Sequence, residues 1–172
     1  IRLEELRTVL RDPQRFIGLH FFNPVAQLPL VEVIRCDDTD QQALDVGFGF
    51  VKAISKLPLE CASAPGFVVN RILAPYTNEA MLLAGEGVDL AVIDKAAVGF
   101  GMPMGPIELV DSVGIDVALH VAKVLGAAFD RPIPPQLQAM VDAGHKGRKS
   151  GQGFYRWEDG KAVKQNGSDE LP

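Results

Sequence analysis

Near residue 62 the hydrophobic pattern of this 172-residue chain changes its period, and no other feature restricts the fold as much. Up to that point short apolar runs alternate with helical stretches. Arg2 to Leu10 has helical spacing. Phe16 to Phe22 is an aromatic-rich run stopped by Asn23-Pro24, and Leu28 to Ile34 is a second run rich in β-branched residues. Thr39 to Ile54 reads as a helix with Asp38 or Thr39 as its cap, and Pro58 to Ala62 as a last short strand. Strand–strand–helix–strand, with strands apolar along nearly their whole length, points to a buried and partly parallel sheet. From Ser63 onward the spacing is helical. Pro65 is placed as a first-turn proline, and Val69, Ile72, Leu73, Tyr76, Ala80 and Leu83 recur at helical intervals. Pro75 should kink that helix and Gly85 end it. Asp89 caps a second helix ending near Gly99. A third covers Ile107 to Phe129 with a break at Gly114, and Pro134-Pro135 opens a fourth that Gly144 ends. The polar stretch after Glu158 is expected to be disordered. The expected fold is an α/β remnant over residues 1–62, an all-helical domain over 63–157 and a tail over 158–172.

Composition narrows the partners. A chain that is 47% hydrophobic and 23% charged can bury a core, and a formal net charge of −5 makes it a poor binder of nucleic acid. No apolar run approaches the roughly 20 residues of a membrane-spanning helix. Cys36 and Cys61 fit no metal spacing and read as buried thiols of a reducing compartment, so a cytoplasmic setting is expected. His120 and His145 stand apart from each other and from the cysteines, read as structural, and suggest no metal site. Ile1 runs directly into helix-like spacing without a start signal, which reads as a chain beginning inside a domain.

Four places could carry chemistry. His20 lies near the end of an apolar strand, just before the Asn23-Pro24 turn, where open sheets place functional groups; a core histidine bonded to a carbonyl is the plainer alternative. Glu32 lies in Leu30-Val31-Glu32-Val33-Ile34, a strand apolar on both faces. A carboxylate there is costly unless paired, and the strand carrying His20 could supply a ring N–H. A carboxylate behind a histidine fixes its tautomer, as in many general bases. A surface pair of Glu32 with Arg35 is the other reading. Asn70 follows Pro65-Gly66-Phe67 and is either a substrate-facing amide or a helix-surface asparagine. Lys146, Arg148 and Lys149 cluster in a glycine-rich loop that is no Walker loop; it either meets a pyrophosphate by charge or is a solvated basic turn. No G-x-G-x-x-G string occurs anywhere in the sequence.

Taken together, the motifs resemble those of the 3-hydroxyacyl-CoA dehydrogenase family. Gly18-Leu-His-Phe-Phe-Asn-Pro-Val25 looks like the family signature, and Leu30-Val-Glu-Val-Ile34 follows at the family's interval. Pro65-Gly-Phe-Val-Val-Asn-Arg71, Met102-Pro-Met-Gly-Pro106 and Gly147-Arg-Lys-Ser-Gly-Gln-Gly-Phe-Tyr155 come next in the family's order. The resemblance runs from Ile1 to about Trp157. It implies the end of a Rossmann-type NAD-binding domain followed by a helical C-terminal domain that often dimerises. It implies His20 as the base that takes the 3-hydroxyl proton, Glu32 as its orienting carboxylate, Asn70 as a contact to the substrate oxygen, and Asn23 and Lys149 as cofactor contacts. NAD is the implied cofactor and an acyl-CoA the implied substrate. The family's serine near the substrate and its glycine loop have no counterpart here, so the partner expected first is an N-terminal half of the same protein, and the chain by itself is expected to be inactive. The continuation Trp157-Glu-Asp-Gly-Lys161 resembles members embedded in multifunctional fatty-acid oxidation proteins.

Two other readings stay in play. One is a non-catalytic helical oligomerisation module derived from the same family, against which the intact set of His20, Glu32 and Asn70 argues. The other is a β-hydroxyacid dehydrogenase, which would use a lysine base where this chain offers Asn70.

Overall fold

The chain divides into two compact units, Ile1–Val69 and Asn70–Pro172. Within them the computed structural model describes residues 2–164. The first unit is built on a three-stranded sheet in the order β1-β2-β3, with β1 at Gly18–Phe21, β2 at Leu30–Arg35 and β3 at Leu57–Ala62. Strands β1 and β2 are antiparallel, with His20 opposite Glu32. Strands β2 and β3 are parallel, with Ile34 opposite Cys61. Parallel neighbours need a crossover, and helix α2 (Gln41–Ala53) provides it. Leu44 and Val51 of α2 pack with Val31 and Val33 from one face of β2. On the other face Ile34, Cys36 and Cys61 pack with Leu3 of α1 (Leu3–Leu6). Covered on both sides, β2 buries Val31, Glu32 and Val33 to 0% exposure. Each aliphatic side chain so buried is worth roughly 1.5–3 kcal/mol, which makes β2 the organising strand of this unit.

The expected cap of α2 is replaced. Asp40 occupies the cap position and makes no side-chain bond there. Asp38 is instead gripped by both terminal nitrogens of the buried Arg7 guanidinium, and Thr39 Oγ1 accepts the Cys36 N–H at 2.9 Å. A charged partner and a turn amide outcompete a helix end for these two side chains.

The second unit is helical: α3 (Val69–Gly85), α4 (Leu90–Phe100), α5 (Pro106–Val113), α6 (Ile115–Phe129) and α7 (Pro135–Asp142). Its core holds Met81, Ile107, Ile115 and Leu119 together with Tyr155 and Trp157 from the C-terminal segment. Asp89 caps α4 by accepting from the amides of Ala91 and Val92, a contribution of about 1 kcal/mol. Gly114 separates α5 from α6, whose axes bend by 102°. No single helix among the described residues is long and apolar enough to cross a membrane.

Two expectations change here. Pro65 does not open a helix: α3 starts at Val69, and Gly66 (φ 76°) and Phe67 (φ 45°) are both left-handed, forming a turn ahead of it. The sequence from Glu158 is not simply a disordered tail either. Strand β4 (Arg156–Glu158) pairs antiparallel with β5 (Lys161–Val163). The two loop residues, Asp159 and Gly160, both have positive φ, the conformation of a tight type I′ hairpin turn. Residues 165–172 of the expected tail lie outside the described residues.

Candidate active site

Side chains directly opposite each other on antiparallel strands share a face and touch. That register places His20 Nδ1 2.7 Å from Glu32 Oε2. The other carboxylate oxygen, Oε1, accepts from the amides of Val68 and Val69, each at 2.9 Å. Glu32 therefore has three partners at 0% exposure, which offsets the penalty of burying its charge. Both amides reach it because the Pro65-Gly66-Phe67 turn folds the chain back toward β2. Since a carboxylate only accepts, the imidazole donates through Nδ1, leaving the Nε2 lone pair for a substrate proton. The His20 side chain is 34% exposed, so the ring is accessible while its partner is sealed. Phe22 and Phe67 flank the ring, with centroids 4.7 and 5.7 Å away. Burial, and then the negative charge of Glu32, push the nearby Cys61 thiol up to about 11, which keeps it neutral and structural.

The sheet thus brings His20 and Glu32 together, as the pairing reading expected, and excludes a Glu32–Arg35 surface pair. Arg35 binds Glu60 instead, at 2.7 Å. Asn23 is exposed just past the end of β1, joined to Pro24 by a cis peptide bond. Asn70 and Lys149 belong to the second unit. Asn70 stands in the first turn of α3 and lines a cleft of about 440 Å³ with Thr77, Asn78, Met81, Leu109 and Leu125. Lys149 Nζ is 2.5 Å from Asp116 Oδ1, and this hydrogen bond is the main reason the Asp116 carboxyl lies below the usual range.

The glycine-rich loop carrying Lys149 is organised around a carboxylate that the sequence did not single out. Asp111 of α5, 0% exposed, accepts from Phe154 N, Tyr155 N and Trp157 Nε1, each at 2.9 Å. Gly147 and Gly153 lie hard against it: a Cβ on Gly153 would stand 2.3 Å from Asp111 Oδ1, and one on Gly147 2.2 Å from Asp111 O. Asp94 of α4, also 0% exposed, accepts from Ile107 N at 2.8 Å, Glu108 N at 3.2 Å, the Tyr155 hydroxyl at 3.0 Å and Lys164 Nζ at 3.1 Å. Two of the motifs, Met102–Pro106 and Gly147–Tyr155, therefore serve to close chain around these two aspartates. Arg148 stacks over the Trp157 ring at 5.9 Å.

Known proteins match along the same division. The NAD binding domain family of 3-hydroxyacyl-CoA dehydrogenases matches residues 1–64, and the C-terminal domain family of the same enzymes matches residues 66–157. The fatty acid oxidation complex subunit alpha of Acinetobacter baylyi is 40% identical over 169 residues, which is 96% of this chain and 24% of that protein. Among solved structures, M. tuberculosis FadB2 superposes with a TM-score of 0.87 at 40% identity, covering 92% of this chain and 57% of that one. The (S)-3-hydroxybutyryl-CoA dehydrogenase PaaH1 of Ralstonia eutropha gives 0.86 at 39% identity, covering 92% and 58%. The chain spans about a quarter of the length of the curated relatives it matches and somewhat over half of these two structures. The end of a Rossmann-like NAD-binding domain followed by a helical domain is the architecture expected from the motifs, and with a family model covering the helical unit the chain belongs to the 3-hydroxyacyl-CoA dehydrogenase family.

Proposed function

We propose that this chain supplies the general base, with its orienting carboxylate, for NAD-dependent oxidation of a 3-hydroxyacyl-CoA to the 3-oxoacyl-CoA in fatty-acid oxidation. The observation that carries this reading is the 2.7 Å bond from His20 Nδ1 to a fully buried Glu32, on a histidine whose side chain is itself partly exposed. His20 Nε2 takes the proton of the 3-hydroxyl, and Glu32 balances the positive charge the imidazole gains. Bound NAD⁺ would supply the acceptor for the hydride that leaves C3. In the reverse direction His20 returns the proton to the 3-oxo group.

The residues present fit the reacting end of that cofactor: a part-exposed base lies three residues from the exposed Asn23, one candidate for contacting the cofactor. Lys149 is the other candidate contact, and it has to share or exchange its ion pair with Asp116 to serve. A glycine loop for the pyrophosphate is not among the 172 residues, so turnover requires such a unit from outside them. Asn70 is assigned to the substrate oxygen from the family motif. Dimerisation is assigned to the helical unit, where Ile72 and Val113 are 67% and 53% exposed. The free thiols Cys36 and Cys61 agree with a cytoplasmic setting, and the length of the relatives with a multifunctional parent.

The test is a chimera in which this chain replaces the matching part of the Ralstonia eutropha dehydrogenase. Acetoacetyl-CoA and NADH should turn over, and His20→Gln should cut turnover by about 10²–10⁴-fold with little change in KM. Near-normal turnover in that variant would move the base elsewhere.

A further inference from the structure

We propose that Phe67 is a positioning residue that holds the His20 ring in register with Glu32. The inference deepens the reading of His20 as the base and rests on it. It starts from a backbone conformation that a bulky side chain rarely adopts. Phe67 has φ 45°, directly after Gly66 at φ 76°. Two successive left-handed residues make a turn suited to glycine or asparagine, and an aromatic ring there is unfavourable unless something else holds it. The structure shows contacts that hold it. The Phe67 ring lies 5.7 Å from the His20 ring, tilted by 56°, while Phe22 lies 4.7 Å from the same ring at 55°. The next two residues, Val68 and Val69, donate their amides to Glu32 Oε1. One short turn therefore places a wall beside the histidine and fixes the carboxylate that the histidine must meet.

The wall matters because a histidine ring has a soft second torsion. Rotation about it by half a turn removes Nδ1 from Glu32 and presents carbon in its place. The single bond at 2.7 Å resists that rotation alone, whereas two tilted aromatic rings confine it sterically. A positioned ring keeps its proton on Nδ1 and its lone pair on Nε2, the state a base needs before substrate arrives. Phe67 also packs against the apolar cluster around Leu3, Ile34 and Cys61, so a filler role is the competing explanation.

The two explanations separate by measuring the ring rather than turnover. The chain contains three histidines, so the ring nitrogens of His20 can be assigned in ¹⁵N spectra of the labelled 172-residue protein. The wild type should show a single neutral tautomer with hydrogen on Nδ1. Phe67→Tyr, which keeps the ring, should retain that pattern. Phe67→Gly, which suits the backbone and removes the wall, should lose it to an averaged pattern. Phe67→Leu keeps apolar volume and the packed cluster, and should also lose it; this variant decides the matter where Phe67→Gly fails to fold. Retention of the single-tautomer pattern in a folded Phe67→Leu or Phe67→Gly protein overturns the proposal and leaves Phe67 a filler. The tautomer is read without cofactor or substrate, so it stands or falls separately from the turnover test of His20→Gln.

Discussion

The two units bury carboxylates to the same depth and use them in opposite ways. Glu32 in the first unit, and Asp94 and Asp111 in the second, are each 0% exposed. Asp111 is closed by two amides and an indole N–H, and Asp94 by two amides, a phenol and an ammonium group. Glu32 shares this pattern on one oxygen, through Val68 and Val69, and departs from it on the other, where it meets an imidazole with a solvent-facing side. Burial of a charge thus marks a candidate base only when one of its partners is of a type that exchanges protons near neutral pH, as an imidazole is and an ammonium, phenol, indole or amide is not. The aspartates spread their charge over several donors, and they fasten chain to chain.

The largest test of that contrast exchanges the two kinds of carboxylate. In the active chimera, Glu32→Gln should lower turnover by about 10²–10⁴-fold, since the neutral amide no longer balances an imidazolium. Asp111→Ala should instead act on stability. It leaves three donors without their acceptor, each costing about 1–3 kcal/mol when unsatisfied, so the second unit should lose at least about 3 kcal/mol. Trp157 is the single tryptophan and bonds to Asp111, so its fluorescence in a urea titration reports the loss directly. A small stability change in Asp111→Ala, or normal turnover in Glu32→Gln, breaks the comparison.

A smaller effect is expected at alkaline pH. Burial first, and the charge of Asp94 next, push the Tyr155 hydroxyl above the usual tyrosine range. Above about pH 10 an unfolded chain loses that proton while the folded one keeps it, so stability falls as pH rises past this point. Tyr155→Phe should flatten this alkaline limb at a cost of about 0.5–1.5 kcal/mol at neutral pH. An unchanged slope would mean that neither burial nor Asp94 holds this phenol protonated.

The smallest expected signal is NAD binding by the chain alone. Asn23 and Lys149 offer one or two hydrogen bonds of about 0.5–1.5 kcal/mol each, or up to about 3 for the charged one, which at most reaches the roughly 4 kcal/mol of millimolar affinity before the cost of association is subtracted. Submillimolar binding in calorimetry would show that the basic loop is a cofactor cradle, and would erase the contrast between the units.

The strand that carries Glu32 was legible because a carboxylate inside Leu30–Ile34 breaks an apolar pattern on both faces. The helices were legible too, through Asp89, Gly114 and Pro135. What the pattern hid were partners set by backbone direction. Pro65 was expected inside a helix, so nothing suggested that Val68 and Val69 turn their amides on Glu32. Asp94 and Asp111 sit on amphipathic helices, where an acid ordinarily belongs to the wet face, and nothing in their spacing distinguishes a buried one. The structure shows why glycines surround them: a Cβ on Gly105, Gly147 or Gly153 would come within 2.2–2.3 Å of an atom of Asp94 or Asp111. The hairpin at 156–163 had a sequence signal in Asp159-Gly160, a dipeptide that favours a two-residue turn. The polar composition around it masked that signal.

The double attachment of Glu32 has an evolutionary consequence. A lineage that gave up turnover would still need an acceptor for the amides of Val68 and Val69, so selection for a folded chain alone would preserve the glutamate. His20 has no such second duty, since its hydrogen bond to Glu32 holds no backbone group in place. Among descendants of this domain, loss of activity should therefore be written first at position 20, and a retained glutamate at position 32 is no witness that the enzyme still works.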